Sequence, residues 1–279
     1  MTQAAHPPHD DREFLLGLAR AFGGSLIFAL PMLMTMEMWH IGFQISEIKL
    51  ILLYVLLVPL LTGVDYFSGF KRTRGVLEDV VDAFVAIAVA AAMAVIVLLA
   101  FNVIDLSTPP REAVGKIALQ TAAGSFGAVL AGGQLSARDE QTNHRRERRL
   151  GYPGTLLLMA AGALFLGLNV APTEEMSLLA YMMTPWHEIA LALLSLTLMH
   201  AFVYSVQFPG GQAPRAGAAF WSVFARYTVA GYAIVLLISL YLLWTFGQTG
   251  HASVREIVSS CIVLGFPAAI GAAAARLIL

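Results

Sequence analysis

Cysteine is almost absent from this sequence. Cys261 is the only one in 279 residues, which excludes an internal disulfide, a CxxC redox pair and a Cys/His metal site. Charge is scarce as well. Asp, Glu, Lys and Arg make up 13% of the chain, about half the roughly 25% of an ordinary soluble domain. No P-loop, dinucleotide-binding glycine pattern, haem motif or serine nucleophile elbow is present. The leading stretch "MTQAAHPPHDDRE" lacks the basic start and short apolar core of a signal peptide and reads as a short cytoplasmic tail. These gaps point away from an enzyme, and the expectation is no catalytic residue, no cofactor and no bound metal.

What the chain has is apolar length. It is 58% hydrophobic, with a mean hydropathy of +0.74, and residues 83–101, "AFVAIAVAAAMAVIVLLAF", hold no charge. A helix crossing the hydrocarbon core needs about 20 mainly apolar residues. The fold class expected is all-α, a polytopic transmembrane helical bundle. Apolar blocks between loop signals give eight spans, near 14–37, 48–69, 79–103, 113–136, 153–173, 185–207, 219–246 and 252–277.

Cytoplasmic loops carry the Lys/Arg excess. With eight spans, one face collects twelve Lys/Arg, including "KRTR" at 71–74 and those of "SARDEQTNHRRERRL" at 136–150, and the other face four. Both termini are therefore expected in the cytoplasm and the protein in a bacterial inner membrane. Asp139, Glu140 and Glu147 interrupt the basic loop, so it reads as a topology signal rather than a nucleic-acid site. The lipid bilayer is the expected partner. Oligomeric state is not legible.

The chain also repeats itself. Shifted by 138 residues, Gly24, Leu26, Leu30, Thr35, Glu37 and Met38 recur as Gly162, Leu164, Leu168, Thr173, Glu175 and Met176. "GKIALQTAAGSFGAVLA" (115–131) parallels "REIVSSCIVLGFPAAIG" (255–271). The expected organisation is two four-span units of the same orientation, 1–136 and 151–279, joined by a basic linker, 137–150. The small-residue runs 123–133 and 268–275 suit close helix packing.

"GGSLIFALPMLMTMEM" (23–38), the duplicated unit and the "SFGAVLAGG" type of fourth span resemble a bacterial and archaeal family of integral membrane proteins known only as a domain of unknown function. The resemblance implies the membrane fold and no chemistry. A second likeness is weaker. "EEMSLLAYMMTPWHE" (174–188) is similar to the paired-Glu helix of intramembrane CAAX-type proteases, but Leu178 and Leu179 stand where that motif needs Arg.

Ionisable residues inside a membrane are the default functional candidates. Thr35, Glu37, Thr173, Glu174 and Glu175 are expected at the outer, C-terminal ends of spans 1 and 5, where the helix dipole opposes carboxylates. Pro31 and Pro172 would break the helix there and free carbonyls. Carbonyls and carboxylates together suit a cation or a proton. Glu78, Asp79 and Asp82, near the inner end of span 3, share a helix face. Arg226 aligns beside Asp82 in the second half, and the four read as an inner gate or ion pair. Asp65, Gln120, Thr121, His200, Tyr204, Gln207, Ser259 and Ser260 are scattered polar residues on the spans. The function expected is a transporter or channel for a small ion, a cation or proton-coupled. The alternative is a non-catalytic membrane protein that binds lipid or a partner protein.

Overall fold

A computed structural model describes residues 11–68, 76–134, 151–204, 221, 224–250 and 252–278. The basic linker 137–150, the "KRTR" loop, Arg215, Gln207 and the Ser222-Val223 pair used in the repeat alignment lie outside them. Every regular element among the described residues is helical.

The first half holds α1 (Asp11–Leu33), α2 (Met36–Gln44), α3 (Glu47–Ser68), α4 (Val76–Ala100) and α5 (Pro110–Gln134). The second holds α6 (Tyr152–Val170), α7 (Glu174–Met182), α8 (Pro185–Tyr204), a π-helical segment (Phe224–Val229) running into α9 (Ala230–Thr245), and α10 (Val254–Ile278). The order long, short, long, long, long thus occurs twice.

Among the described residues, seven helices are long and apolar enough to cross a membrane. The eighth expected span corresponds to α8, a helix of 20 residues that carries His187, Glu188 and His200. Spans 1 and 5 were expected to run on to residues 37 and 173; they stop at Leu33 and Val170, and separate nine-residue helices follow. Pro31 sits inside the last turn of α1 rather than at its break, and Pro172 follows the end of α6. A proline just past the last turn cannot continue a helix.

Equivalent residues make the same contacts in each half. α1 packs most closely on α5, and α6 on α10. A Cβ at Gly24 would overlap the Gly127 oxygen and the Ala131 methyl; one at Gly162 would overlap the Gly271 oxygen and the Ala275 methyl. Gly24 and Gly162 are 138 residues apart; Gly127 and Gly271 are 144 apart, which corrects by one helical turn the shift of 140 that sets 115–131 against 255–271. Only small residues permit such backbone approach, which bears out the packing role expected for the small-residue runs. α4 and α9 also end alike. Asn102 and Gly247 have φ 55° and 83°, and Val103 and Gln248 N–H reach back to the Leu98 and Leu243 oxygens. This left-handed close satisfies the last carbonyls of a helix.

The halves meet where α6 lies against α3, with smaller contacts to α1 and α5. Leu157 fills the space over Gly63, and Phe67 the space over Gly154. The main core runs through both halves, from Leu57 and Leu61 of α3 to Leu164 of α6 and Leu264 of α10.

Candidate functional site

The first expected site lies where α1 and α6 give way to the short helices. Thr35 and Thr173 are the N-cap residues of α2 and α7, in extended conformation. Glu37, Glu174 and Glu175 therefore occupy first turns. The expectation that they oppose a helix dipole is corrected: at a helix N-terminus the dipole favours a carboxylate. Glu37 is half-buried, and Glu174 and Glu175 are exposed.

The freed carbonyls have side-chain donors. Thr35 Oγ1 donates to Met32 O at 2.8 Å and Thr173 Oγ1 to Val170 O at 2.9 Å. Gln120 Nε2 also donates to Met32 O, at 3.1 Å. The equivalent carbonyls of Leu33 and Ala171 are met by Trp39 Nε1 at 3.2 Å and Gln248 Nε2 at 2.6 Å. Donors thus occupy positions that a cation would need.

Four acids of this end have local partners. Glu47 faces Arg111 at 3.6 Å, and Glu112 faces Lys116 at 2.5 Å. Glu256 accepts from Ser253 N at 2.6 Å while Ser253 Oγ accepts from Glu256 N at 3.3 Å, a capping box at the start of α10. Asp105 Oδ1 accepts from Ser107 N and Oγ and from Thr108 Oγ1. These hydrogen bonds, the Ser107 hydroxyl first, hold the Asp105 carboxyl below its usual range.

The residues of the second expected constellation stand on different elements, Glu78, Asp79 and Asp82 on α4 and Arg226 in the π segment. Among the described residues no ion pair joins Asp82 to Arg226, which is exposed. The reason is placement. α4 packs on α5, α3 and α1, whereas the π segment lies beside α9 and α8. There Tyr152 donates to the Arg226 oxygen at 2.9 Å, and its ring meets Tyr227 edge-on at 5.6 Å. Thr228 is fully buried in this segment and bonds His200 Nδ1 at 2.9 Å. Of the acids, Glu78 is exposed, Asp82 half-buried and Asp79 only 1% exposed. Asp79 Oδ2 makes no hydrogen bond.

A further feature was not foreseen. A cavity of about 570 Å³ lies between the halves, walled by α1, α5, α6 and α10 with Val64 of α3. That is the size range, roughly 300–1,000 Å³, of small-molecule sites. α1 contributes Gly23, Gly24, Ile27 and Phe28; α6 contributes Ala161, Gly162, Phe165 and Leu166, each 138 residues on. Leu130 and Ala131 of α5 are answered by Ala274 and Ala275 of α10, 144 residues on. The wall is therefore built of matching positions. Phe165 stacks on Phe28 at 5.0 Å and Phe126 at 5.8 Å between ring centres. Ile27 lines the cavity and is also 69% exposed, so the cavity opens on the lipid-facing flank of α1. Leu30, one turn further, is 47% exposed, while its equivalent Leu168 is fully buried. α6 is covered where α1 is open.

The sequence holds the small residues and the repeat that build this wall, but not the offset docking of the halves that leaves it open. No curated protein and no solved structure matches the chain. One family profile does, described as "Putative integral membrane protein (DUF2391)", over residues 17–279. The match covers nearly the whole of a chain with seven membrane-length helices, and the protein belongs to that family of integral membrane proteins.

Proposed function

We infer that this membrane protein binds a lipid-soluble molecule in the cavity between its halves. The observation that carries this is an apolar cavity, about 570 Å³, with its mouth at the exposed Ile27 on the side of α1. A molecule arriving sideways crosses no polar layer, and its burial against Phe126, Phe165 and Leu166 releases nothing to water that lipid would not also take. Selectivity then comes from shape, as it does between helices in lipid. Native mass spectrometry of the delipidated protein against neutral single-chain lipids tests the reading. Filling the cavity with Ala274→Phe should abolish the bound species and leave the fold intact. Equal binding by the filled variant would sink the idea.

Proton-coupled transport is supported by one different observation. Asp79 is buried in the first turn of α4 with an oxygen that no donor meets. A buried carboxylate of this kind in a membrane is a functional candidate. Liposomes loaded with a pH dye test it: a proton flux with wild type that Asp79→Asn lacks supports the reading, and identical traces refute it. The glutamates of α2 and α7 support ion binding less well, since the helix N-termini account for their positions.

A further inference from the structure

Among the described residues, Arg20 is the one charged residue on the wall of the cavity. It lies five residues into a membrane-length span, Leu15–Leu33. Its side chain is exposed, and neither of the described ion pairs involves it. Leu15, Leu16 and Leu18, on the N-terminal side of it, are exposed apolar residues. The apolar surface therefore continues past the charge, and Arg20 sits within it.

An arginine in an apolar span is costly without a counter-ion. The wall shows that the charge is not required by the repeat. The other α1 lining residues recur on α6 as lining residues, but Arg20 corresponds to Leu158, which is 1% exposed and does not line the cavity. One end of an otherwise matched apolar wall thus carries a cation. Along α1 the cavity runs from Arg20 to Phe28, about 12 Å at 1.5 Å per residue. The volume suits one chain and not the two chains of a phospholipid.

Resting on the cavity reading above, we propose that the ligand is a single-chain carboxylate, a long-chain fatty acid, held with its chain between the halves and its carboxylate on Arg20. The guanidinium presents a planar pair of N–H donors to a carboxylate, the geometry of the stronger charge-assisted hydrogen bonds. The chain would lie along Gly23, Gly24 and Phe28 and reach Phe165. Ordinary snorkelling of Arg20 to lipid headgroups would give the side chain no preference among ligands of the cavity.

The test uses the full chain in a neutral detergent at pH 8, with oleate, monoolein and oleoyl-lysophosphatidylglycerol as probes and native mass spectrometry as readout. Oleate should bind one per chain, roughly tenfold tighter than monoolein, a single charge-assisted contact's worth. Arg20→Gln should remove that preference and leave monoolein binding unchanged, Arg20→Lys should keep part of it, and Ala274→Phe should exclude all three. Should Arg20→Gln fail to fold, the wild-type ratio of oleate to monoolein decides alone. Equal affinity for the two overturns the carboxylate proposal and leaves the cavity reading standing. A preference for the lysophospholipid over oleate overturns it too. Binding of none of the probes overturns both.

Discussion

Lys49 Nζ donates to the main-chain oxygen of Trp244 at 2.6 Å and lies 5.1 Å from the centre of its indole ring. Lys49 opens α3 in the first half, and Trp244 is in the last turn of α9 in the second. The ammonium sits where the α9 dipole is negative. This contact pins the halves together at the end opposite Arg20. Lys49→Met should lower stability by about 1 kcal/mol, a partly exposed charge-assisted bond discounted for screening. Trp244→Leu should cost less in the Lys49→Met background than alone, as thermal melts in detergent will show. Additive losses would mean the ring contributes nothing through the ammonium.

The glycine crossings give a sharper contrast. Gly24→Ala and Gly162→Ala each place a methyl against a facing main-chain oxygen. Each should destabilise by about 1–3 kcal/mol. Gly23→Ala, one residue away, meets nothing within 4 Å, and should be neutral or stabilising by up to roughly 1 kcal/mol through helix propensity. Chemical denaturation of the three variants side by side measures this. A Gly23 variant as unstable as the Gly24 one would refute the packing account.

Asn102 and Gly247 close equivalent helices with φ 55° and 83°. Gly247→Ala should cost about 1–2 kcal/mol, since a β-carbon opposes this backbone. Asn102→Gly should be neutral or slightly stabilising, and Asn102→Ala destabilising. The order of the three melting temperatures is the measurement. It fails if Asn102→Gly is the worst of them.

Asp105 supplies a pH dependence. Its hydrogen bonds from Ser107 and Thr108 hold its folded pKa below the unfolded value. The stabilisation is therefore present above the unfolded pKa, about 3.9, and is lost as pH falls through the folded value. The melting temperature of Asp105→Asn should trail the wild type at pH 7 and converge on it as the pH falls below about 4. A gap that stays constant over that range would show that the carboxylate's charge is not what matters.

Sequence by itself determined the membrane fold and its rhythm. Apolar blocks of span length, glycines at fixed shifts and loop punctuation suffice for that, because lipid demands that each span satisfy its own backbone. It also picked out Thr35, Thr173 and the glutamates beside them as equivalent. It misplaced them on a dipole, because apolarity runs on through Met34, Met36 and Met38 and hides the backbone break after Leu33. Only the tertiary structure decided what those residues do. It supplied the freed carbonyls with Thr, Trp and Gln donors from within the turn and from α5 and the end of α9. It also separated Asp82 from Arg226, since the depth of a residue along a span says nothing about which helix lies next to it. The cavity belongs wholly to the tertiary structure. Two halves with matching walls could meet in several ways, and only their docking, with α6 on α3 and the Ile27 flank of α1 exposed, leaves a space between them.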